Sequence, residues 1–110
     1  MVERAMAAET LAPPVKVAVP EGHRLLHGDA LGKTTRQELH LDDLDRSPEH
    51  VVVRIATPVV TSSFIRAFVG PSVRTLGYEG FIEKYQFDAT RTVRESILSN
   101  ARYARDDNDG

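Results

Sequence analysis

Apolar and polar positions along the chain follow the two-residue period of strands in some segments and the longer period of helices in others. Residues 15–19 alternate β-branched residues with others until Pro20 and Gly22 end the pattern, which predicts a short strand and a turn. Residues 51–55 are almost continuously β-branched and apolar. Such a run is typical of a central strand with both faces covered, so we place it in the middle of a sheet.

A third strand is predicted over residues 81–87, where aromatic residues alternate with others. Its aromatic face consists of Phe81, Tyr85 and Phe87. We expect these three rings in the core and not in a stacking platform for bases, because a half-buried strand needs this alternation.

The segment between the first two strands predicts a helix over residues 30–44, with Asp29 as its cap. Three residues share one face of this helix: Leu31, Thr35 and Leu39. Residues 39–41 also alternate as a strand does, so a strand at the end of the segment is a second interpretation. The pair Ser47 and Pro48 closes the segment in both cases.

Three hydroxyl residues open the next helical period: Thr61, Ser62 and Ser63. The apolar face of this helix is marked by Phe64, Phe68 and Leu76. Pro71 cannot donate a backbone hydrogen bond inside a helix, so we expect a kink or a restart there. Gly77 then ends the helix in the left-handed conformation.

Asp88 is predicted to cap a final helix, in which apolar residues recur at intervals of three and four. These residues are Val93, Ile97, Ala101 and Ala104. Strands and helices therefore alternate along the chain, which favours an α/β fold with helices packed on a sheet that contains parallel neighbours. We expect a small sandwich with a mixed sheet of about four strands.

The composition narrows the class of protein. The chain has 110 residues, enough for one core and too few for two of ordinary size. We expect residues 1–14 to form a flexible arm, residues 15–105 one domain, and residues 106–110 an acidic tail that frays. Because the sequence has no cysteine, disulfides, thiolate catalysis and cysteine-containing zinc sites are excluded.

The location and the class of partner follow from charge and hydropathy. The formal net charge of -2 gives no general attraction to nucleic acid. The first residues lack the apolar run of a signal peptide, and no later stretch is apolar enough to cross a membrane. We therefore expect a cytoplasmic protein without membrane contact.

About half of the chain carries a resemblance to a known family: VVVRIATPVVTSSFIRAFVGPSVRTLG, followed by FIEKYQF and a capped helix. The order of a buried strand, a short segment and a Thr-Ser-Ser-Phe helix start resembles the STAS domain family, and more narrowly its STAS-like branch of uncharacterised bacterial proteins. Members of the wider family are anti-sigma factor antagonists and related regulators. They bind a GHKL-type protein kinase or a sigma-factor inhibitor, and phosphorylation of a serine at this helix start breaks the complex.

The resemblance implies roles for four positions. The family motif reads Asp-Ser-Ser-Gly, so Thr61 stands at the aspartate, Ser62 at the usual phosphoacceptor, Ser63 at the second serine and Phe64 at the glycine. It implies a STAS-like fold, a GHKL-type kinase or ATPase as partner, and Ser62 or Ser63 as phosphoacceptor. We expect the partner to contact four residues: Thr61, Ser62, Ser63 and Arg66.

Two interpretations of the hydroxyl residues remain open. A phosphate at a helix start meets the positive end of the helix dipole and free backbone N–H groups, which makes a serine there a suitable switch. Alternatively, Thr61 or Ser62 only caps the helix. In that second case the chain is a structural or assembly subunit of an operon-encoded complex, for example one of phage defence, without a phosphorylation switch.

Other clusters give weaker indications of chemistry. His23, His27 and Asp29 have a spacing that invites a metal site, but Gly22 and Gly28 favour a turn and no supporting motif is present, so we expect no metal. Three aspartates, Asp42, Asp43 and Asp45, lack the pattern of a calcium loop, so we expect a solvated acidic face.

The last helix carries four cations that suggest a nucleic-acid contact as one interpretation: Arg91, Arg94, Arg102 and Arg105. A solvent-facing and partly salt-bridged surface is the preferred interpretation. No glycine-rich phosphate loop follows a predicted strand, and no nucleophile has an evident base. We therefore expect no catalytic residues and no cofactor.

Overall fold

The computed structural model describes residues 13–109, which form three strands and four helices. In chain order these are β1 (Val15–Ala18), α1 (Asp29–Glu38), α2 (Leu41–Arg46), β2 (Val51–Arg54), α3 (Ser62–Lys84), β3 (Tyr85–Asp88) and α4 (Arg91–Asp109). The expected α/β fold is confirmed. Residues 1–12 of the expected arm and Gly110 of the expected tail lie outside the described residues.

The three strands form one sheet in the order β1-β2-β3, and both neighbouring pairs are parallel. In the register, Val51 lies between Val15 and Tyr85. A mixed sheet of about four strands was expected, and this is wrong for the described residues. Every connection between consecutive strands contains a helix, and such a crossover joins strands that run in parallel.

Among the described residues, helices cover only one face of the sheet. Side chains alternate along β2: Val51 and Val53 are buried, Val52 is half-buried and Arg54 is exposed. The strands on both sides repeat this alternation. The central position of β2 is confirmed, but coverage on both faces is wrong. In a sheet of this order, right-handed crossovers place all connecting helices on one side.

The segment 30–44 forms two helices instead of one. α1 begins at Asp29 after Gly28, so Asp29 is the first helical residue and not the cap. His40 has a positive φ of 57°, which reverses the chain between α1 and α2. The interpretation of residues 39–41 as a strand is therefore wrong.

α3 begins after Thr61 and buries Phe64 and Phe68, as expected. Pro71 lies inside the helix, and the break in helical geometry occurs later, at Gly77, with φ 78° and ψ 161°. The kink or restart expected at Pro71 is therefore wrong. The helix end predicted at Gly77 is confirmed, because glycine tolerates the positive φ, but its ψ of 161° is not that of the left-handed helix.

Helical structure resumes after this break, so the third strand is shorter than expected. β3 covers only Tyr85–Asp88, and the first half of the predicted strand 81–87 is helical. The core position of Phe81, Tyr85 and Phe87 is nevertheless confirmed, since all three are buried. The Phe81 ring lies 5.4 Å from the Tyr85 ring and 5.9 Å from the Phe87 ring.

α4 begins at Arg91 and is capped by Thr90, whose Oγ1 accepts a 3.2 Å hydrogen bond from the Val93 N–H. Asp88 belongs to β3, so the cap predicted there is wrong. The predicted apolar face is confirmed by four buried residues: Val93, Ile97, Ala101 and Ala104. The helix extends to Asp109, past the predicted end of the domain.

α3 packs against both α1 and α4. The approach of α1 is close because it carries Gly32, where a Cβ would lie 2.6 Å from the Phe64 carbonyl oxygen and 2.8 Å from the Ala67 Cβ. Because α3 packs against both neighbours, the helices form one layer on the sheet, with α3 in the middle.

None of the described helices is long and apolar enough to cross a bilayer.

Candidate functional site

The loops that follow β1 and β2 lie side by side at the carboxyl edge of the sheet. Leu26 forms a parallel bridge with Val60. The Leu26 N–H donates to the Val59 carbonyl and the Thr61 N–H donates to the Leu26 carbonyl, both at 2.9 Å. The Thr57 hydroxyl adds a 3.2 Å hydrogen bond to the loop after β1. This pairing fixes the chain immediately before α3.

Thr61 is the residue that caps α3. Its backbone is extended, and its Oγ1 accepts a 3.4 Å hydrogen bond from the Phe64 N–H. The Ser63 hydroxyl lies 3.2 Å from the same oxygen. Of the two capping candidates, Thr61 and Ser62, it is therefore Thr61 that caps, and Ser62 makes its contact elsewhere.

Ser62 contacts the last helix. Its Oγ accepts a 3.4 Å hydrogen bond from Nδ2 of Asn100, a buried residue of α4. Oδ1 of Asn100 accepts a 3.2 Å hydrogen bond from Nε of Arg66, one turn after Ser62. The Arg66 guanidinium also lies 5.6 Å from the centre of the Tyr103 ring. Asn100 thus brings two of the predicted contact residues together, Ser62 and Arg66.

Sequence reasoning missed Asn100 and Tyr103. A signal for Asn100 was present, because it is a polar residue on the buried face of α4, three positions after Ile97. Buried polar side chains are normally hydrogen-bonded, so such a position asks for a partner. Tyr103 gave no comparable signal, since an exposed aromatic residue on a helix breaks no pattern.

Exposed apolar side chains occur on the loops and the helix that lead to this cluster. Leu25 is 40% exposed, Val59 52% and Tyr103 57%. Leu25 and Val59 lie close together, because the residue after Leu25 pairs with the segment that contains Val59. We call the whole set the edge surface: Leu25, Val59, Ser62, Ser63, Arg66 and Tyr103. Exposed aliphatic groups beside a tyrosine and an arginine are typical of protein interfaces.

A second polar cluster lies in the interior, between α1, α2, α3 and β3. Asp45 accepts hydrogen bonds from Arg36 Nη2 at 2.6 Å, from Ser72 Oγ at 2.7 Å and from the Tyr85 hydroxyl at 2.5 Å. Arg36 Nη1 donates to Ser72 Oγ at 2.8 Å and to the Phe68 carbonyl at 3.0 Å. We call the four buried side chains the buried cluster: Arg36, Asp45, Ser72 and Tyr85.

The electrostatics of the buried cluster keep Tyr85 protonated. Burial raises the pKa of the Tyr85 hydroxyl well above its ordinary value, and the hydrogen bond to Asp45 and the Asp45 charge raise it further. The hydroxyl therefore remains a donor to the carboxylate. Each side chain of the cluster is paired with another member, so the cluster joins four elements of the fold and its groups are already used.

The expected solvated acidic face is correct for Asp42 and Asp43, whose side chains are each 72% exposed. It is wrong for Asp45, whose side chain is 3% exposed. Asp45 lies one turn after the buried Leu41 on α2 and shares its inward face. At the rim, Asp42 forms an ion pair of 2.7 Å with Arg36.

The remaining candidates of the sequence do not form a site with one another. His23, His27 and Asp29 are exposed. Within the described part of the chain, no group of three or more histidine, aspartate or glutamate side chains is placed to hold a metal ion.

The arginines of α4 are largely engaged in local contacts, in accord with the preferred interpretation. Arg91 pairs with Glu95 at 3.1 Å, and Arg94 donates to a backbone carbonyl at 2.8 Å. The Arg102 guanidinium lies 5.7 Å from the centre of an aromatic ring of α3. The side chain of Arg105 lies outside the described residues.

Fold and site together define a two-layer α/β domain that carries exposed apolar and cationic side chains at the carboxyl edge of a parallel sheet. Open α/β sheets bind small ligands where the strand order reverses, and the order β1-β2-β3 contains no reversal within the described residues. No protein-family model matches the sequence, and no curated protein or solved structure matches the chain.

Proposed function

We propose that the chain is a non-catalytic regulatory module that docks on a protein partner through the edge surface. The observation that carries the proposal is the combination of exposed Leu25 and Val59 with Arg66 and Tyr103 around the start of α3. Residues that become buried at interfaces are enriched in tyrosine and arginine, and a few of them supply most of the affinity.

The resemblance to the STAS domain family supports a particular partner and a particular switch. It suggests a GHKL-type kinase or ATPase in the cytoplasm as the partner, and phosphorylation at Ser62 or Ser63 as the switch. Both hydroxyls are exposed. Ser62 is the better phosphoacceptor. Its Oγ accepts a hydrogen bond from Asn100, whereas the Ser63 hydroxyl lies within hydrogen-bonding distance of the capping oxygen of Thr61.

The expected effect of a phosphate on Ser62 is electrostatic. The phosphate adds a charge of about -2 at the positive end of the α3 dipole, so the isolated domain tolerates it. Arg66, one turn later, is within reach of the new charge. An apolar partner surface seated on Leu25 and Val59 is destabilised, because the phosphate must then be desolvated.

The docking half of the proposal is tested by affinity. Binding to a GHKL-type ATPase from the same genome is measured by isothermal titration calorimetry, for the wild type and for Val59→Glu. We expect the charge on the edge surface to weaken binding by about tenfold or more. Ile82→Glu is the matched control, since Ile82 is also exposed, at 42%, and lies outside the edge surface. Equal loss in both variants would refute docking at this edge.

The switch is tested separately by intact mass after incubation with that kinase and ATP. The expected result is one added phosphate on the wild type and none on Ser62→Ala. A phosphate that persists on Ser62→Ala and disappears on Ser63→Ala would transfer the role to Ser63. No added phosphate on the wild type would remove the switch and leave the docking proposal intact.

A second candidate function has one observation in its favour. The hydrogen bond from buried Asn100 to Ser62 helps to hold α4 against α3, so the serine has a use without phosphorylation. A structural or assembly subunit of an operon-encoded complex would need no more than this. In that case Ser62→Ala and Ser62→Asp both leave assembly intact on size-exclusion chromatography, whereas loss with the aspartate alone contradicts it.

A further inference from the structure

A groove of about 460 Å³ runs between α1 and α3, beside the edge surface. Its floor includes Ala67 and Pro71 of α3. Four cationic side chains line it: Lys33, Arg36, Arg66 and Arg74. We call this feature the basic groove. Only Arg66 belongs also to the edge surface.

The two walls of the basic groove differ in charge compensation. On the α1 wall, Lys33 pairs with Asp29 at 3.0 Å, and Arg36 pairs with carboxylates at the rim and in the interior. On the α3 wall, Arg66 binds the neutral amide of Asn100 through Nε. Among residues 13–104, whose side chains the structure describes, no carboxylate lies within ion-pair distance of Arg66 or Arg74. The uncompensated charge therefore lies on α3.

Gly70 determines where the Arg74 charge is placed. A Cβ at Gly70 would lie 3.3 Å from Nη1 of Arg74 and 3.8 Å from its Cζ. The guanidinium therefore lies against the helix one turn before its own Cα, which is the usual direction of helical side chains. Arg66 and Arg74 are eight residues apart, so their backbone positions are about 12 Å apart along the helix axis.

We propose that the basic groove binds an extended acidic segment of a protein partner. Carboxylates four residues apart in an extended chain are about 14 Å apart, so a segment with acidic residues at alternate positions offers one carboxylate to each of the two arginines. A nucleic acid is a poorer match, because Asp29 and Asp42 line the same groove and the chain is acidic overall.

The position of Ser62 connects this groove to the proposed switch, and this step rests on the proposed function. Ser62, Arg66, Gly70 and Arg74 follow one another at intervals of four on one side of α3. A phosphate on Ser62 would compete with the acidic segment for Arg66. Phosphorylation then weakens the binding of a partner that occupies the groove, without any change of fold.

The test uses a fluorescein-labelled peptide of four Glu-Gly repeats, with binding measured by fluorescence anisotropy at low salt. We expect Arg66→Gln and Arg74→Gln each to weaken binding by roughly threefold to tenfold, as for a partly exposed charged pair. Arg91→Gln is the matched control, because Arg91 is an exposed arginine on α4 that is already paired with Glu95. Circular dichroism verifies that the variants fold.

Three results would overturn the proposal. The first is no peptide binding by the wild type at low salt, and the second is equal affinity for Arg74→Gln and Arg91→Gln. The third is tighter binding of a single-stranded oligonucleotide through the same two arginines. A failure of the groove proposal is distinguishable from a failure of the proposed docking, because docking on the ATPase is tested separately with Val59→Glu. If Arg74→Gln still binds the ATPase with wild-type affinity, only the groove proposal is refuted.

Discussion

The edge surface and the buried cluster each contain serine and arginine from elements of the same layer, yet they differ in how completely their polar groups are hydrogen-bonded. In the buried cluster, Ser72 donates to Asp45 at 2.7 Å and accepts from Arg36 at 2.8 Å. At the edge, Ser62 has one long contact of 3.4 Å and remains exposed.

This difference separates a structural cluster from a candidate site. A buried charge is tolerated only when it is paired and hydrogen-bonded, so the interior cluster has no group left to offer to another molecule. Exposed groups with long or single contacts exchange them for water at little cost. Residue type does not distinguish Ser62 from Ser72. The number and length of the hydrogen bonds that each hydroxyl makes do.

The largest expected effect is the removal of the central acceptor of the buried cluster. Asp45→Ala leaves Arg36 without its interior carboxylate and the hydroxyls of Ser72 and Tyr85 without their acceptor, so we expect the free energy of unfolding to fall by about 3–5 kcal/mol. Asp43→Ala, on the same short helix but exposed, should change it by about 0.5 kcal/mol or less. Urea denaturation measures both, and equal effects would erase the contrast between the clusters.

The next effect concerns the helix spacing on which the buried cluster depends. Gly32→Ala puts a methyl group about where the Phe64 carbonyl lies and pushes α1 from α3, one turn before Arg36. We expect a loss of about 1–3 kcal/mol in the free energy of unfolding. At Gly80 a Cβ would lie at an ordinary 3.4 Å from its nearest neighbour, so Gly80→Ala should be neutral or stabilising. Similar urea midpoints for both variants would contradict the close packing.

A smaller effect is expected from Tyr85→Phe, which keeps the ring and removes the hydroxyl. The variant should lose about 1 kcal/mol near neutral pH. The pKa of Tyr85 is raised in the folded state. Its protonated form therefore stabilises the fold below about pH 10, and this contribution is lost as the pH rises beyond that value.

The wild type should accordingly lose its advantage over Tyr85→Phe at high pH. Urea denaturation of both proteins at about pH 8 and about pH 11 measures the difference. An advantage that stays constant between the two conditions would show that the hydroxyl is not held protonated by burial and by Asp45.

The smallest effects are expected at the start of α3. Thr61→Ala removes the cap and should lower the free energy of unfolding by about 1 kcal/mol. Ser62→Ala removes only one long hydrogen bond, and we expect a change of about 0.5 kcal/mol or less. Thermal unfolding followed by circular dichroism compares the two. A larger loss for Ser62→Ala than for Thr61→Ala would make Ser62 a structural residue and weaken its candidacy as a switch.

Much of the fold was predictable because period and local propensity agree in several segments. The run at residues 51–55 gave the central strand, and the three-four spacing from Val93 gave the buried face of α4. The strand predicted over residues 81–87 was half wrong, because Phe81 and Tyr85 are four apart and fit a helical face as well as a strand face. Alternation over few residues does not distinguish these two cases.

The candidate site was predictable only in part. Thr61, Ser62 and Ser63 were found because hydroxyl residues at a helix start have a local signature. Leu25 and Tyr103 were not found, because Leu25 reaches the edge surface through the pairing of the two loops and Tyr103 reaches it through the packing of α4. Asp45 was assigned to the surface because its neighbours Asp42 and Asp43 are there, and only the orientation of a short helix turned it inward.

The sequence by itself determined the α/β class, the central strand, the helix that starts at the hydroxyl residues and the apolar face of the last helix. Each follows from interactions within about one or two turns or one strand, which the order of residues specifies directly. Only the tertiary structure decided which face of the sheet is open, which aspartate is buried, and which serine meets Asn100. These depend mainly on contacts between residues 27–40 positions apart, and no local pattern encodes such contacts.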